Sequence, residues 1–368
     1  MRVPLAVIDR RHLLERNTMD DIVKVLAWSF QQCAAGVLPA ARHDGSGFLP
    51  SDAWRKRRAG QACPKGALVD FRGDWVFYKQ LMRFPQFNEN LGCCWRCRVT
   101  PQTWRDVGLS AAWRTERLSH WDLLARMRSQ GLTLSPLWGC PGLKAECFQV
   151  DWLHTVDKGV AAVFLGSYLK FLLPYFDGNN DKDRLANVFL DIRKYYKEEK
   201  VTSCLDNLRL TMLGKQGKTP TLNCQAGEAR FLVPWAAASA TRMLGASEDE
   251  VTVKEMAAQL LSCSSCLSRA SYSPQLLAQS CRKFCLLAVA MEQRSPSKLW
   301  GLKPKLHLFQ ELCETAETNP SLSWTYRDED FGGTLGHIGK RRGGANTPAA
   351  MGAAVLRKFC ARNTLPRL

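Results

Sequence analysis

Long uncharged apolar runs are missing from this chain. The longest, from Val160 to Phe176, is interrupted by Lys170 and Pro174, and is too short and too broken to span a bilayer. Acid is scarce as well. Only 34 Asp and Glu face 51 Lys and Arg, a net charge of +17 with a pI near 9.4. Such a surplus concentrates polyanions and favours nucleic acid as a partner. No signal peptide precedes the cysteines, since Met1 leads straight into Arg2-Val-Pro-Leu-Ala-Val-Ile-Asp9. The 15 cysteines are odd in number, in a chain too long to need disulfide staples. Free thiols in a reducing compartment, with room for one metal site, are therefore expected in a soluble intracellular protein. No internal repeat divides the sequence, and no separate DNA-binding domain stands out at the N-terminus.

What is present is a chain of 368 residues with 46% hydrophobic content, long enough for two domains or one large one. Residues 3–9 read as a short strand. Thr18 and the acidic pair Asp20-Asp21 precede Ile22, Val23, Val25, Leu26 and Phe30, which predicts a capped amphipathic helix ending near Gly36. Within a polar, turn-rich stretch, Arg55-Lys56-Arg57-Arg58 forms a basic run, read either as a solvated surface or as a phosphate contact or nuclear address. Ala67, Leu68, Val69 and Phe71 look like a strand that Gly73 breaks, and Trp75 to Met82 resume as a helix. Asp74 then falls between a strand end and a helix start. Open α/β sheets place ligand and metal carboxylates there, although a plain helix N-cap fits the same position.

Cys94 and Cys97 have the two-residue gap of a zinc half-site, for which His120, Cys140 and Cys147 offer themselves as partners. The pair Cys263 and Cys266 lies in a helical pattern and reads as packing. The most informative stretch is Asp151-Trp-Leu-His154-Thr-Val-Asp157-Lys-Gly159. Asp151 and His154 are three apart, so on a helix they share a face. A capping Asp beside a satisfied core histidine is the bland account of that pair. From Asp151 to about Leu299 the apolar spacings of three and four predict helices over 184–199, 230–244, 253–267 and 274–291. A further amphipathic helix follows Lys303-Pro-Lys-Leu-His307-Leu-Phe-Gln-Glu311. The triplet Asp328-Glu329-Asp330 and the basic Lys340-Arg341-Arg342 come next.

Three islands in fixed order, Arg72-Gly73-Asp74-Trp75 with Cys94-Trp-Arg-Cys97, Asp151-x-Leu-His154-x-x-Asp157-x-Gly159, and Lys305-x-His307 with Trp324-x-Tyr326-Arg-Asp-Glu329, resemble a transposon-derived pattern. It is that of reading frames related to the Plavaka, CACTA and Kyakuja–Dileera–Zisupton transposases, over roughly residues 1–345. The resemblance implies an α+β, mostly helical fold: a partial RNase H-like α/β core interrupted by a large helical insertion. The corresponding units are a strand–helix segment and basic loop (1–62), core with the CxxC loop (63–150), helical insertion (151–300), return to the core (301–345) and a basic tail (346–368).

It further implies a nuclear DDE/D-type enzyme for DNA cleavage and strand transfer, with Mg²⁺ or Mn²⁺ held by Asp74 and Glu329; a structural Zn²⁺ at Cys94 and Cys97 rests on their spacing, with buried thiols as the alternative. Asp151 and His154 would stand beside that active site, and oligomers occur in such families. Two hard cations about 3.5–4 Å apart activate the attacking oxygen and stabilise the leaving one. DNA would lie on Arg55, Lys56, Arg57, Arg58, Lys340, Arg341 and Arg342. Trp75, Trp95 and Trp152 would either stack on unpaired bases or pack the core. The first acid of the triad has only Asp9 as a candidate. The alternatives are a non-catalytic nucleic-acid-binding relic of a transposase and a helical interaction protein.

Overall fold

The computed structural model describes residues 5, 13, 17–85, 93–215, 217–340 and 348–362. Apart from Leu5, an exposed bend, the expected strand over 3–9 with Asp9, the basic pair Arg341 and Arg342, and the last residues of the tail lie outside the described residues.

Helices dominate. Helix α1 (Asn17–Ala35) ends as the glycine predicts: Gly36 takes φ +71°, and its N–H closes on Gln32 O at 3.1 Å. The basic run lies on the short α2 (Ala53–Arg58), and α3 spans Trp75–Met82. Helix α4 (His120–Ser129) is started by the reciprocal cap of Ser119 and Asp122.

The long apolar run opens as a π-helix over Leu153–Ala161 and tightens into α5 (Ala162–Leu172). Nine residues of π-helix exceed the single-turn bulges usually found, and such bulges collect at functional sites. The helical block continues with α6 (Asp181–Glu198), α7 (Ala226–Met243), α8 (Glu248–Ser265) and α9 (Pro274–Arg294). Their starts are set by Asn180, by the Gln225–Glu228 and Ser247–Glu250 boxes, and by Ser273 ahead of Pro274. Helix α10 (Lys305–Glu314) is buried between α9 and the π-helix; α11 (Tyr326–Lys340) and α12 (Pro348–Arg362) pack on one another.

No sheet forms among the described residues. Extended chain makes three isolated bridges only: Val37–Ala62, Phe71–Phe148 and Cys97–Arg117. The strand expected over 67–71 is reduced to the single parallel bridge at Phe71. Val69 shows the reason, standing 75% exposed with no neighbouring strand to cover it. That bridge still does the positional work of a sheet. Phe71 N–H donates to Cys147 O at 2.7 Å and Gln149 N–H to Phe71 O at 3.0 Å, while the Tyr78 hydroxyl sits between Phe71 O and Gln149 O. Parallel pairing at 71 and 148 puts Asp74 and Asp151, each three residues further on, at the same end.

One apolar core runs through the described residues from Val23 to Cys313. Around the bridge it is aromatic. Phe84 stacks on Trp95 at 5.5 Å and meets Phe148 edge-on at 5.0 Å. Trp95 and Trp152 are buried in that core, so base stacking falls to neither; Trp75 is half-buried, its indole N–H on Pro85 O. Cys263 and Cys266 are buried packing thiols between α8 and α9.

Candidate metal centre and acid cluster

The half-site at Cys94 and Cys97 is completed from far along the chain. Cys94 lies in a tight loop whose backbone folds onto its own sulfur: Arg96 N–H donates to Cys94 Sγ at 3.3 Å. The loop is fixed by bridging to 116–118, through Arg98 N–H to Glu116 O and Leu118 N–H to Arg96 O, each 3.0 Å. Against it lies α10, where His307 and Glu311 are four apart and face the same way. The ligand atoms of Cys94, Cys97, His307 and Glu311 all lie within 4.8 Å of one another, and all four residues are buried. Cys97 Sγ stands 3.3 Å from His307 Nε2, which is 3.8 Å from Glu311 Oε1. A zinc tetrahedron with bonds of about 2.0–2.3 Å has edges of about 3.3–3.8 Å. The cluster could therefore hold a metal ion.

The electrostatics suit one. Burial would raise the Cys94 thiol, but hydrogen bonds from Cys97 and His307 outweigh it and hold Cys94 well below the ordinary thiol range. Cys97, whose S–H is spent on Cys94, is pushed up by that bond and by burial. The pair thus shares one proton, and a cation that displaced it would gain a second thiolate. Glu311 is fully buried and gripped by Arg117 through bonds of 2.5 and 2.9 Å. His307 packs edge-on against Trp113 at 4.8 Å, which fixes its ring plane.

The partners expected from proximity in sequence are elsewhere. Cys140 donates to Ala27 O, Cys147 turns to Gly142 O, and His120 packs on Trp138. Glu311 was legible only as part of an amphipathic helix, and His307 as that helix's member of the third island, neither as a metal ligand. The missed signal is an imidazole and a carboxylate at i and i+4 in a run otherwise buried.

The second centre gathers on His154. Asp151 accepts four hydrogen bonds: Thr325 N–H on Oδ1 at 2.9 Å, and the Thr325 hydroxyl, His154 N–H and His154 Nδ1 on Oδ2 at 2.9, 2.9 and 2.6 Å. Burial would raise its carboxyl, yet these bonds bring it below the ordinary aspartate range. Thr325 precedes α11, and the N–H of Glu329 returns to Thr325 O at 2.8 Å. Asp151 therefore anchors the first turn of α11 and sets Glu329 in place. The Glu329 carboxylate meets the other ring nitrogen, Oε1 to Nε2 at 2.9 Å. The His154 ring is thereby held between two carboxyl groups, Asp151 on Nδ1 and Glu329 on Nε2. Asp74 caps α3, its Oδ1 accepting Phe77 N–H at 2.6 Å. It also lines one cavity of about 470 Å³ with Asp151, His154 and Lys305.

Lys305 ties the two centres together. Its stem crosses the π-helix at Gly159, where an added Cβ would stand 2.7 Å from Lys305 Cδ, and its Nζ donates to His154 O at 2.6 Å. Gly159 is therefore required by close approach. Two residues before it, fully buried Asp157 accepts from Trp152 Nε1 at 3.3 Å and from the Tyr326 hydroxyl at 2.7 Å. Burial pushes its carboxyl up to about 7, against a smaller opposing pull from Arg230.

The sequence-predicted residues thus divide. Asp74, Asp151, His154 and Glu329 are brought to one region. Among the described residues, however, the only group of three or more metal-ligating side chains is the Cys94 cluster. Asp74 and Glu329 do not complete an acidic site for Mg²⁺ or Mn²⁺. Of the basic residues, Arg55, Lys56, Arg57 and Lys340 are exposed, while Arg58 is half-buried over the Trp54 ring at 4.9 Å. No described helix is long and apolar enough to cross a membrane. Compared with protein-family models, curated proteins and solved structures, the chain matches none.

Proposed function

We propose that this protein is a zinc-stabilised DNA-processing protein of the DDE/D transposase type, acting in the nucleus. The observation that carries the reading is the convergence on His154. Asp74, Asp151 and Glu329 are up to 255 residues apart along the chain. Asp74 shares a cavity with Asp151 and His154, and Glu329 bonds the His154 ring. The net charge of +17 supports DNA as the partner, held through backbone phosphates and weakened by salt.

In this reading the Cys94, Cys97, His307 and Glu311 set holds zinc, which supplies cross-linking between the CxxC loop and α10 and no chemistry. Asp151 orients His154. His154 holds the Glu329 carboxylate, and Asp74 faces the shared cavity from the start of α3. Because Asp151 is spent on Thr325 and His154, an acid beyond Asp74 and Glu329 is needed for a two-metal site. The RNase H-like core likewise belongs to the proposal; its support is the parallel bridge at Phe71 and Phe148 that aligns Asp74 with Asp151.

A second reading, the DNA-binding relic without cleavage, is favoured by one observation: Glu329 is engaged by His154 rather than by another acid. One experiment separates them. Binding and cleavage of a DNA duplex are measured with Mg²⁺ or Mn²⁺ for the wild type, Asp74→Ala and Glu329→Ala. Cleavage lost in both variants, with salt-dependent binding kept, supports the enzyme. Binding alone supports the relic. Neither survives if DNA is not bound, and the acid assignment fails if both variants still cleave.

A further inference from the structure

Lys303 and Lys305, which line the cavity beside the acid cluster, also line a second cavity with an internal volume of about 200 Å³. Its walls are apolar and partly aromatic, formed by Val163, Phe164, Met256, Phe284, Ala288 and Trp300. Three lysines belong to its lining, Lys158, Lys303 and Lys305, and no acidic residue does. Two of them are only partly engaged. Lys303 Nζ donates to the Thr221 hydroxyl at 2.7 Å and Lys305 Nζ to His154 O, which leaves each further donors to offer. Ser167 also lines the cavity. It is 1% exposed, and its hydroxyl has no hydrogen-bond partner. A buried hydroxyl left unpaired costs about 1–3 kcal/mol, so such groups call for an explanation.

Packing alone does not account for this combination. A core designed only to be filled would not leave open space bordered by aromatic rings, line it with three lysines and no acidic residue, and leave a buried hydroxyl of its wall unpaired. Ligand sites share this composition: an apolar enclosure with a few polar groups that fix orientation. The volume lies below the range for drug-sized ligands, so the body of the ligand is small.

We propose that this cavity binds a small anionic amphiphile, with its apolar body against Phe164, Phe284 and Trp300 and its carboxylate or phosphate-ester head on the Lys158, Lys303 and Lys305 ammoniums. Lysine suits either head group, because it acts as a point charge rather than a bidentate fork. The Ser167 hydroxyl takes a polar atom of the body or donates to the head. Lys305 spans both cavities, so occupancy would be felt at His154 through its bond to the His154 carbonyl.

Titration calorimetry of the full chain tests this with octanoate, octyl phosphate, octanol and inorganic phosphate. The expected result is saturable one-to-one binding of octanoate or octyl phosphate. Octanol, which lacks the charge, and inorganic phosphate, which lacks the body, should each bind at least about tenfold more weakly. A preference between the two anions identifies the head group. Ala288→Leu fills the cavity and Lys158→Met removes an exposed ammonium from its lining; each should weaken binding about tenfold or more. Lys158→Met is the safeguard should Ala288→Leu fail to fold, as judged by circular dichroism. The proposal is overturned if neither anion saturates, if octanol binds as tightly as octanoate, or if folded Lys158→Met binds like the wild type. None of these outcomes touches Asp74 or Glu329, so failure here leaves the DNA-processing reading to its own test.

Discussion

Replacing Asp157 by Asn should remove a pH-dependent loss of stability. The carboxyl is fully buried in the π-helix and raised to about 7 by burial, from 3.8 in the unfolded chain. A folded-state value above the unfolded one means that the folded protein holds this proton more tightly. The group is then neutral for stability below about pH 4, and stability falls as pH rises through the interval up to about 7. At about 1.36 kcal/mol per pH unit, the full loss amounts to roughly 4 kcal/mol, of which about 2.5 kcal/mol falls between about pH 5 and about pH 8. Asn keeps the shape and an acceptor for the Trp152 indole, and the Tyr326 hydroxyl can reverse to meet its amide. The assay is urea unfolding of both proteins at the two pH values. Asp157→Asn should gain about 2.5 kcal/mol on the wild type as pH rises from about 5 to about 8. Equal pH dependence in the two proteins would refute the reasoning, because it would mean that the buried carboxyl is already ionised at low pH.

Other outcomes follow from close approaches and buried pairs. Gly159→Ala places a methyl group 2.7 Å from Lys305 Cδ and 3.1 Å from His154 O, and should lower stability by roughly 1–3 kcal/mol in thermal unfolding. Arg117→Met strands the buried Glu311 carboxylate. Its cost, roughly 3–5 kcal/mol in metal-free protein, should shrink when zinc is added, read as the change in unfolding midpoint. Phe84→Ala opens the aromatic nest around Trp95 and Phe148 and should cost roughly 3–5 kcal/mol in chemical denaturation.

The helices were legible wherever capping residues and apolar spacing agreed. Thr18 to Gly36, Trp75 to Met82 and the block from Arg184 to Met291 lie within a few residues of the elements observed. The π-helix from Leu153 was not legible, because seven of its nine residues are buried and leave no polar face whose spacing could tell a wider turn from an α-helix. Residues 67–71 carry β-forming side chains but pair only at Phe71, since strand propensity expresses a partner surface as much as the backbone. Half the metal centre was visible in Cys94 and Cys97. The other half sits 210 residues beyond Cys97, at His307, on a helix whose spacing reads equally well as packing. Asp151 with His154 showed as a shared helical face. That Glu329 would close on the same imidazole depends on Thr325 anchoring α11 to Asp151, a contact across 174 residues that no local pattern encodes.

Metal content tests the structural centre of this account most directly. Elemental analysis of the purified full chain, with the double variant Cys94→Ser and Cys97→Ser beside it, should give one zinc per wild-type chain and none in the variant. Removing the metal should also lower the unfolding midpoint of the wild type. Wild-type protein that binds no zinc on titration, or that melts at the same temperature with and without it, would contradict the assignment of Cys94, Cys97, His307 and Glu311 as its ligands.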